Sequence, residues 1–131
     1  MEPPDLSSTL RTLLEAAPPE VMAVYLYGSR ARGTARPESD LDLALLLVAP
    51  PPATLRSVAR LVEDLAERAL RIPVEAVVLN RAPSDLVHRV LRDGILVLDR
   101  DRPGRLGFEV RARNEYFDLA PVRRLYRRMP A

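Results

Sequence analysis

The run Asp40 to Val48, DLDLALLLV, constrains this chain more than any other segment. Its later half is continuously apolar. That is the pattern of a central strand buried on both faces, because a strand with one wet face alternates. The rest of the chain has to supply its neighbours. Val21 to Tyr27 (VMAVYLY) is apolar, with β-branched and aromatic residues, and reads as a second strand. Val74 to Leu79 and Ile95 to Asp99 read the same way. Between them lie helical patterns. Leu6, Leu10, Leu13 and Leu14 recur at helical spacing, Asp5 or Ser7 can cap them, and Pro18-Pro19 ends the segment. Arg30 to Arg36 supplies one or two helical turns and a loop, which Pro37 breaks. After a stop at Pro50-Pro51-Pro52, the residues Leu55, Val58, Ala59, Val62, Leu65, Ala66 and Ala69 mark one face of a long helix. Ser84 caps a short helix to Asp93, with Gly94 in a left-handed position behind it. A turn from Arg100 to Gly104 leads into a last helical region carrying Leu106, Phe108, Val110, Tyr116 and Phe117. Pro121 kinks or splits that region, and Val122, Leu125 and Tyr126 continue it. The order predicts an α/β (α+β) sandwich: a small mixed sheet flanked by helices, in one domain spanning 1–131.

Composition removes several classes of function. The chain has no cysteine and a single histidine, His88. Disulfides, thiolate zinc sites and histidine-rich metal sites are therefore excluded, and any metal must be a hard ion held by carboxylates, magnesium or manganese. No apolar run approaches the ~20 residues of a membrane span, and Met1 to Asp5 lacks the basic start of a signal peptide. A soluble cytoplasmic protein without a membrane partner is expected. A net charge of +2 is thin support for nucleic-acid binding. Every basic residue except His88 is arginine, whose planar fork suits phosphate, although a GC-rich genome produces the same bias. His88, on a short helix beside Val87, reads as structural.

The chemistry concentrates in Gly28 to Leu47, GSRARGTARPESDLDLALLL. Gly28-Ser29 ends a strand and opens a short helix. Glycine at such a corner lets backbone approach a phosphate, and a helix start offers free N–H groups to an anion. Taken alone, most Gly-Ser pairs are turns. Asp40 and Asp42 are two apart on a strand, so both carboxylates point to one face. Adjacent carboxylates repel unless a cation sits between them, and phosphoryl-type transfer needs a divalent cation on the phosphate oxygens. Taken alone, Asp-x-Asp is also common at solvated strand starts. The spacing joins the two features: ten residues lie between Ser29 and Asp40.

That combination of Gly-Ser, a short spacer and Asp-x-Asp inside an apolar strand resembles the signature of the DNA polymerase β nucleotidyltransferase superfamily. With Arg30, Arg32, Gly33, Ala35, Arg36, Ser39 and Leu43 included, the segment is similar to the minimal nucleotidyltransferases, the MntA-like antitoxins. Val74 to Asn80 resembles the family's third-carboxylate strand. Ser84 to Asp101 and Phe108 to Leu119 resemble its C-terminal half. One residue departs from the pattern: Glu75 stands where the family usually has aspartate. Glutamate keeps the ligand chemistry but adds a methylene, and active sites respond to misplacements of ~1 Å.

The resemblance implies a polymerase-β-type nucleotidyltransferase fold and a division of labour. Gly28, Ser29 and Arg30 would bind the nucleoside triphosphate, with ATP as the donor. Asp40, Asp42 and Glu75 would be the catalytic carboxylates and would hold magnesium or manganese. The partner implied is a HEPN-family toxin, to which AMP is transferred on a tyrosine. Two other readings stay open: a non-catalytic antitoxin that binds its toxin and keeps a vestigial nucleotide site, and a small-molecule transferase of the aminoglycoside-modifying kind. The Tyr116-Phe117 pair and the arginines Arg123, Arg124, Arg127 and Arg128 are candidate contact surfaces. Their plainer readings are a buried core pair and a solvated helix face.

Overall fold

Helix and strand alternate in the order that the apolar pattern predicts. The computed structural model describes residues 6–48, 52–118 and 121. Its elements are α1 (Leu6–Leu14), β1 (Val21–Tyr27), α2 (Ser29–Arg32), β2 (Leu41–Leu47), α3 (Pro52–Leu70), β3 (Val74–Val78), α4 (Ser84–Asp93), β4 (Ile95–Asp99) and α5 (Arg102–Asp118). A 3-10 turn over Leu79–Arg81 follows β3 and ends that strand one residue earlier than expected. The Asp5 cap, the Pro50-Pro51 stop, the continuation through Val122, Leu125 and Tyr126, and the arginine tail lie outside the described residues.

Several helix ends differ from expectation. Ser84 does not cap α4 but is its first residue, behind Pro83, which makes no side-chain cap bond, and Ser7 lies inside α1. Gly94 is extended (φ −74°, ψ 156°) and not left-handed. Glycine is needed there because a side chain would run into the Val90 carbonyl, which accepts the Gly94 N–H at 2.7 Å. The turn expected over Arg100 to Gly104 is mostly helix. Asp101 caps α5 by accepting the Gly104 N–H on Oδ1 at 3.1 Å, and Pro103 falls in the first turn, where its missing N–H costs nothing.

The sheet order is β3-β2-β1-β4. β1 runs antiparallel to β2 and to β4, while β2 and β3 are parallel, joined by the α3 crossover. β2 is central and covered on both sides, as its composition requires. Leu41, Leu43, Leu45 and Leu47 pack with Leu10 and Leu14 of α1 and with Val58, Val62 and Ala66 of α3. Ala44 and Leu46 pack on the other face with Val87 and Val90 of α4, against Phe108 and Ala112 of α5. Each buried leucine of β2 contributes ~1.5–3 kcal/mol of transfer free energy, so this strand anchors the fold. The outer edge of β3 does not stay open. The Val74 and Ala76 N–H groups donate to Glu67 Oε1 and Glu63 Oε1 of α3, at 3.0 and 3.4 Å, which blocks the edge against further pairing. Arg100 closes the opposite side by donating to the carbonyls of Glu15, Ala17 and Pro18 at 2.7–3.0 Å, beyond the end of α1.

Candidate active site

Strand register assembles the site. Tyr27 at the end of β1 lies opposite Asp42, and Asp42 lies opposite Glu75 on β3. Cross-strand partners share a face. Tyr27, Asp42 and Glu75 therefore form a row across three strands, on the face that Ala44 and Leu46 line further along. The apolar packing gives way at this end to carboxylates. Asp42 is half-buried, whereas Glu75 is exposed and Asp40 is exposed one residue ahead of β2.

Gly28 follows Tyr27 with φ 75° and ψ −157°, a region practically reserved for glycine. A side chain there would overlap Oδ2 of Asp42. The Gly-Ser turn and the Asp42 carboxylate, 14 positions apart in sequence, are thus in direct contact. Ser29 opens α2, whose single turn closes by Ala31 and Arg32 N–H groups donating to the Gly28 carbonyl at 3.1 and 3.2 Å. Gly33 ends it in the left-handed conformation, φ 75°.

The charges of this row act on one another. Burial raises the Asp42 carboxyl above the usual aspartate range; the negative charges of Glu75 and Asp40 add to the rise, and Arg32 opposes it. The Tyr27 hydroxyl is pushed up to about 12, first by burial and then by Asp42 and Glu75, with Arg89 of α4 acting the other way. Among the described residues no three such donors close into a ready-made metal cage. Asp40, Asp42 and Glu75 line a common end of the sheet as an open, electronegative row. Such a row fits magnesium, which takes one or two carboxylates and completes its shell with phosphate oxygens and water.

Arg30, expected to bind nucleotide, is engaged by loop carbonyls. Its Nη2 donates to the Ser39 carbonyl at 2.6 Å and to the Pro37 carbonyl at 3.3 Å, and its Nε donates to Ser39 at 3.2 Å. Arg32 is the basic residue of α2 that acts on Asp42. Arg32 belongs to the arginine-rich stretch that the sequence reading drew attention to, whereas Tyr27 and Arg89 were not singled out as site residues. Of those two, only Tyr27 carried a signal, its place directly before Gly-Ser.

Away from this row, His88 stacks on Tyr116 with ring centroids 3.7 Å apart and planes 4° from parallel, which ties α4 to α5. Phe117 does not share that burial and is 64% exposed, so Tyr116-Phe117 is not a buried core pair. Glu109 is a buried carboxylate that sequence reasoning passed over. It accepts the Tyr25 hydroxyl at 2.7 Å and pairs with Arg105 at 3.1 Å. Among the described residues no helix is long and apolar enough to cross a membrane.

A family model described as Polymerase beta, Nucleotidyltransferase matches residues 9–103, the part of the chain that holds all four strands and the whole acidic row. The chain belongs to this nucleotidyltransferase family. Solved structures share the fold across nearly the full length. A crystal structure of a toxin–antitoxin with AMP-PNP is 25% identical, with a TM-score of 0.73 over 92% of this chain and 94% of that one. A tri-AMPylated Shewanella oneidensis HEPN toxin in complex with MNT antitoxin matches at 23% identity and TM-score 0.66, over 92% and 91% of the two chains. A further crystal structure from Shewanella oneidensis is 20% identical, with a TM-score of 0.67 over 95% of each chain. A search of curated proteins found no significant match.

Proposed function

We propose that residues 1–131 form a single minimal nucleotidyltransferase domain that serves as the antitoxin of a HEPN/MNT pair. In this reading it transfers AMP from ATP to a tyrosine of a HEPN-family toxin in the cytoplasm. The observation that carries the reading is the contact between Gly28 and Asp42, with Glu75 in register beside them. It puts the Gly-Ser turn against a row of carboxylates. The toxin–antitoxin structures that share the fold, one with AMP-PNP and one with an AMPylated toxin, support the same assignment.

The chemistry follows from the row. Gly28 and Ser29 hold the terminal phosphates of the nucleotide at the start of α2. Asp40 and Asp42, with Glu75 alongside, would hold magnesium or manganese, which would supply neutralising charge at the phosphate oxygens. The acceptor tyrosine oxygen attacks the α-phosphorus, the bond from that phosphorus to the bridging oxygen breaks, and pyrophosphate leaves. Glu75, exposed at the edge of the row, accepts the proton of the tyrosine hydroxyl. Arg32 lies near enough to Asp42 to balance charge when the site is filled.

One observation favours a second reading. The acidic row is open, and its third member is an exposed glutamate on β3, which also suits an antitoxin that binds without catalysing. Incubation of the chain and magnesium with each of the four nucleoside triphosphates and the HEPN-type product of the adjacent reading frame separates the two. Intact-mass and peptide mapping of the partner should find AMP on tyrosine with ATP. A stable complex with an unmodified partner under every nucleotide would leave only the binding reading.

A further inference from the structure

We propose that Arg30 is the positioning residue for Asp40, and that it acts through the backbone of the loop instead of touching nucleotide. The inference rests on the reading above, in which Asp40 holds the metal against the triphosphate. Asp40 is exposed and stands outside β2, so the sheet ladder that fixes Asp42 does not reach it. Its backbone is held from both sides by other means. Ahead of it, the Ser39 carbonyl, which belongs to the peptide bond entering Asp40, accepts both Nε and Nη2 of Arg30 at 3.2 and 2.6 Å. The same Nη2 reaches the Pro37 carbonyl at 3.3 Å. Behind it, the Leu41 N–H donates to the Pro73 carbonyl at 2.9 Å, just ahead of β3 and Glu75.

The loop is also closed on itself. The Arg36 N–H donates to Ser39 Oγ at 2.9 Å, and the Ser39 N–H returns to the Arg36 carbonyl at 3.0 Å. This leaves Ser39 as a rigid corner with one carbonyl pointing at α2. Arg30 follows Ser29 in sequence, so a single guanidinium links the phosphate turn to the carboxylate loop. A planar fork spans two carbonyls in a way that a lysine ammonium does not. The spacing between Gly28-Ser29 and Asp40, which the intervening loop alone would leave loose, is thereby set.

The test compares wild type, Arg30→Ala and Arg30→Lys, with Arg68→Ala, an exposed arginine of α3, as control. Three quantities are read: manganese binding by electron paramagnetic resonance in the presence of a non-hydrolysable ATP analogue, binding of the analogue in EDTA, and amide hydrogen exchange over residues 37–41. For Arg30→Ala, manganese half-saturation should rise about tenfold or more, in the range of losses seen when a group orienting a metal ligand is removed. Exchange over 37–41 should speed up, and metal-free binding of the analogue should stay within about twofold. Arg30→Lys should fall between, and it carries the test if circular dichroism shows Arg30→Ala to be unfolded. Weaker metal-free nucleotide binding with unchanged loop exchange would overturn the proposal and make Arg30 a phosphate ligand. Faster exchange with unchanged manganese affinity would reduce it to a loop strut. If wild type with the analogue binds no manganese, the reading of Asp40 as a metal ligand fails, and the positioning role falls with it.

Discussion

Replacing Gly28 with alanine tests the geometry of the site through stability alone. Two costs are separable. The backbone at φ 75° and ψ −157° is one that side chains avoid, worth ~1–3 kcal/mol of strain. The added methyl would also overlap Asp42 Oδ2 and lie 3.2 Å from its Cγ and 3.4 Å from its Cβ, so the carboxylate must leave its rotamer or β1 and β2 must part. That second cost is ~1–2 kcal/mol, and the two together make ~2–5 kcal/mol. They divide because the three heavy atoms nearest the added methyl all belong to the Asp42 side chain. An Asp42→Ala background removes the two tightest of these contacts and keeps an ordinary 3.4 Å contact to Cβ, so Gly28→Ala should then cost the strain alone. A double-mutant cycle by urea denaturation, followed by circular dichroism, should give a coupling of ~1–2 kcal/mol between the two positions. Additivity within ~0.5 kcal/mol, or a Gly28→Ala cost below ~1 kcal/mol, would refute the claim that the turn and the carboxylate are in contact.

Three further expectations concern the charges. Asp42 binds its proton more tightly folded than unfolded, so its ionised form opposes folding above the raised folded pKa, and this penalty fades as pH falls toward the unfolded value. Asp42→Asn should therefore stabilise the metal-free protein at neutral pH while abolishing transfer, with the stability gap to wild type shrinking in acid; a gap that grows on acidification contradicts the sign. Tyr25→Phe removes a 2.7 Å bond to the buried Glu109 carboxylate and should cost ~1–3 kcal/mol in urea unfolding; a change under ~0.5 kcal/mol would mean that Arg105 alone satisfies Glu109. Glu75→Gln should lower transfer by ~10²-fold or more, as for loss of a general base, while Glu75→Asp should preserve it. Equal rates for wild type and Glu75→Gln would remove Glu75 from the chemistry.

The strands were legible because burial writes itself into composition. β2 is covered by helices on both faces, so its later residues are apolar without alternation, and β1 and β4 match their expected bounds. The acidic row was legible only in part. Asp40 and Asp42 stand out by residue type and spacing, and Glu75 only by the family resemblance of its strand, but the alignment of Tyr27, Asp42 and Glu75 is a property of register, which pairing between distant segments decides. The glycines show why single residues mislead. Gly28 is required by φ and by the carboxylate beside it, while Gly94 is required by the backbone packed against it, the Val90 carbonyl above all; in sequence both are simply glycine after an element. The start of α5 could have been read better, since Asp101-Arg102-Pro103 is a cap followed by a first-turn proline, but Pro103-Gly104 suggested a turn. Arg30 could not be separated from its neighbouring arginines by pattern, because whether a guanidinium meets phosphate or a loop carbonyl depends on how that loop folds back.

The central claim, that this acidic row transfers AMP to a protein, is tested most directly with ATP labelled either at the α- or at the γ-phosphate. The chain, magnesium and the HEPN-type partner are incubated with each label, beside the Asp40→Ala/Asp42→Ala variant. The account requires label on the partner from α-labelled ATP, none from γ-labelled ATP, and none from either with the variant. Label from the γ-phosphate would mean phosphorylation and a different enzyme, and α-label that survives the variant would place the chemistry outside this site.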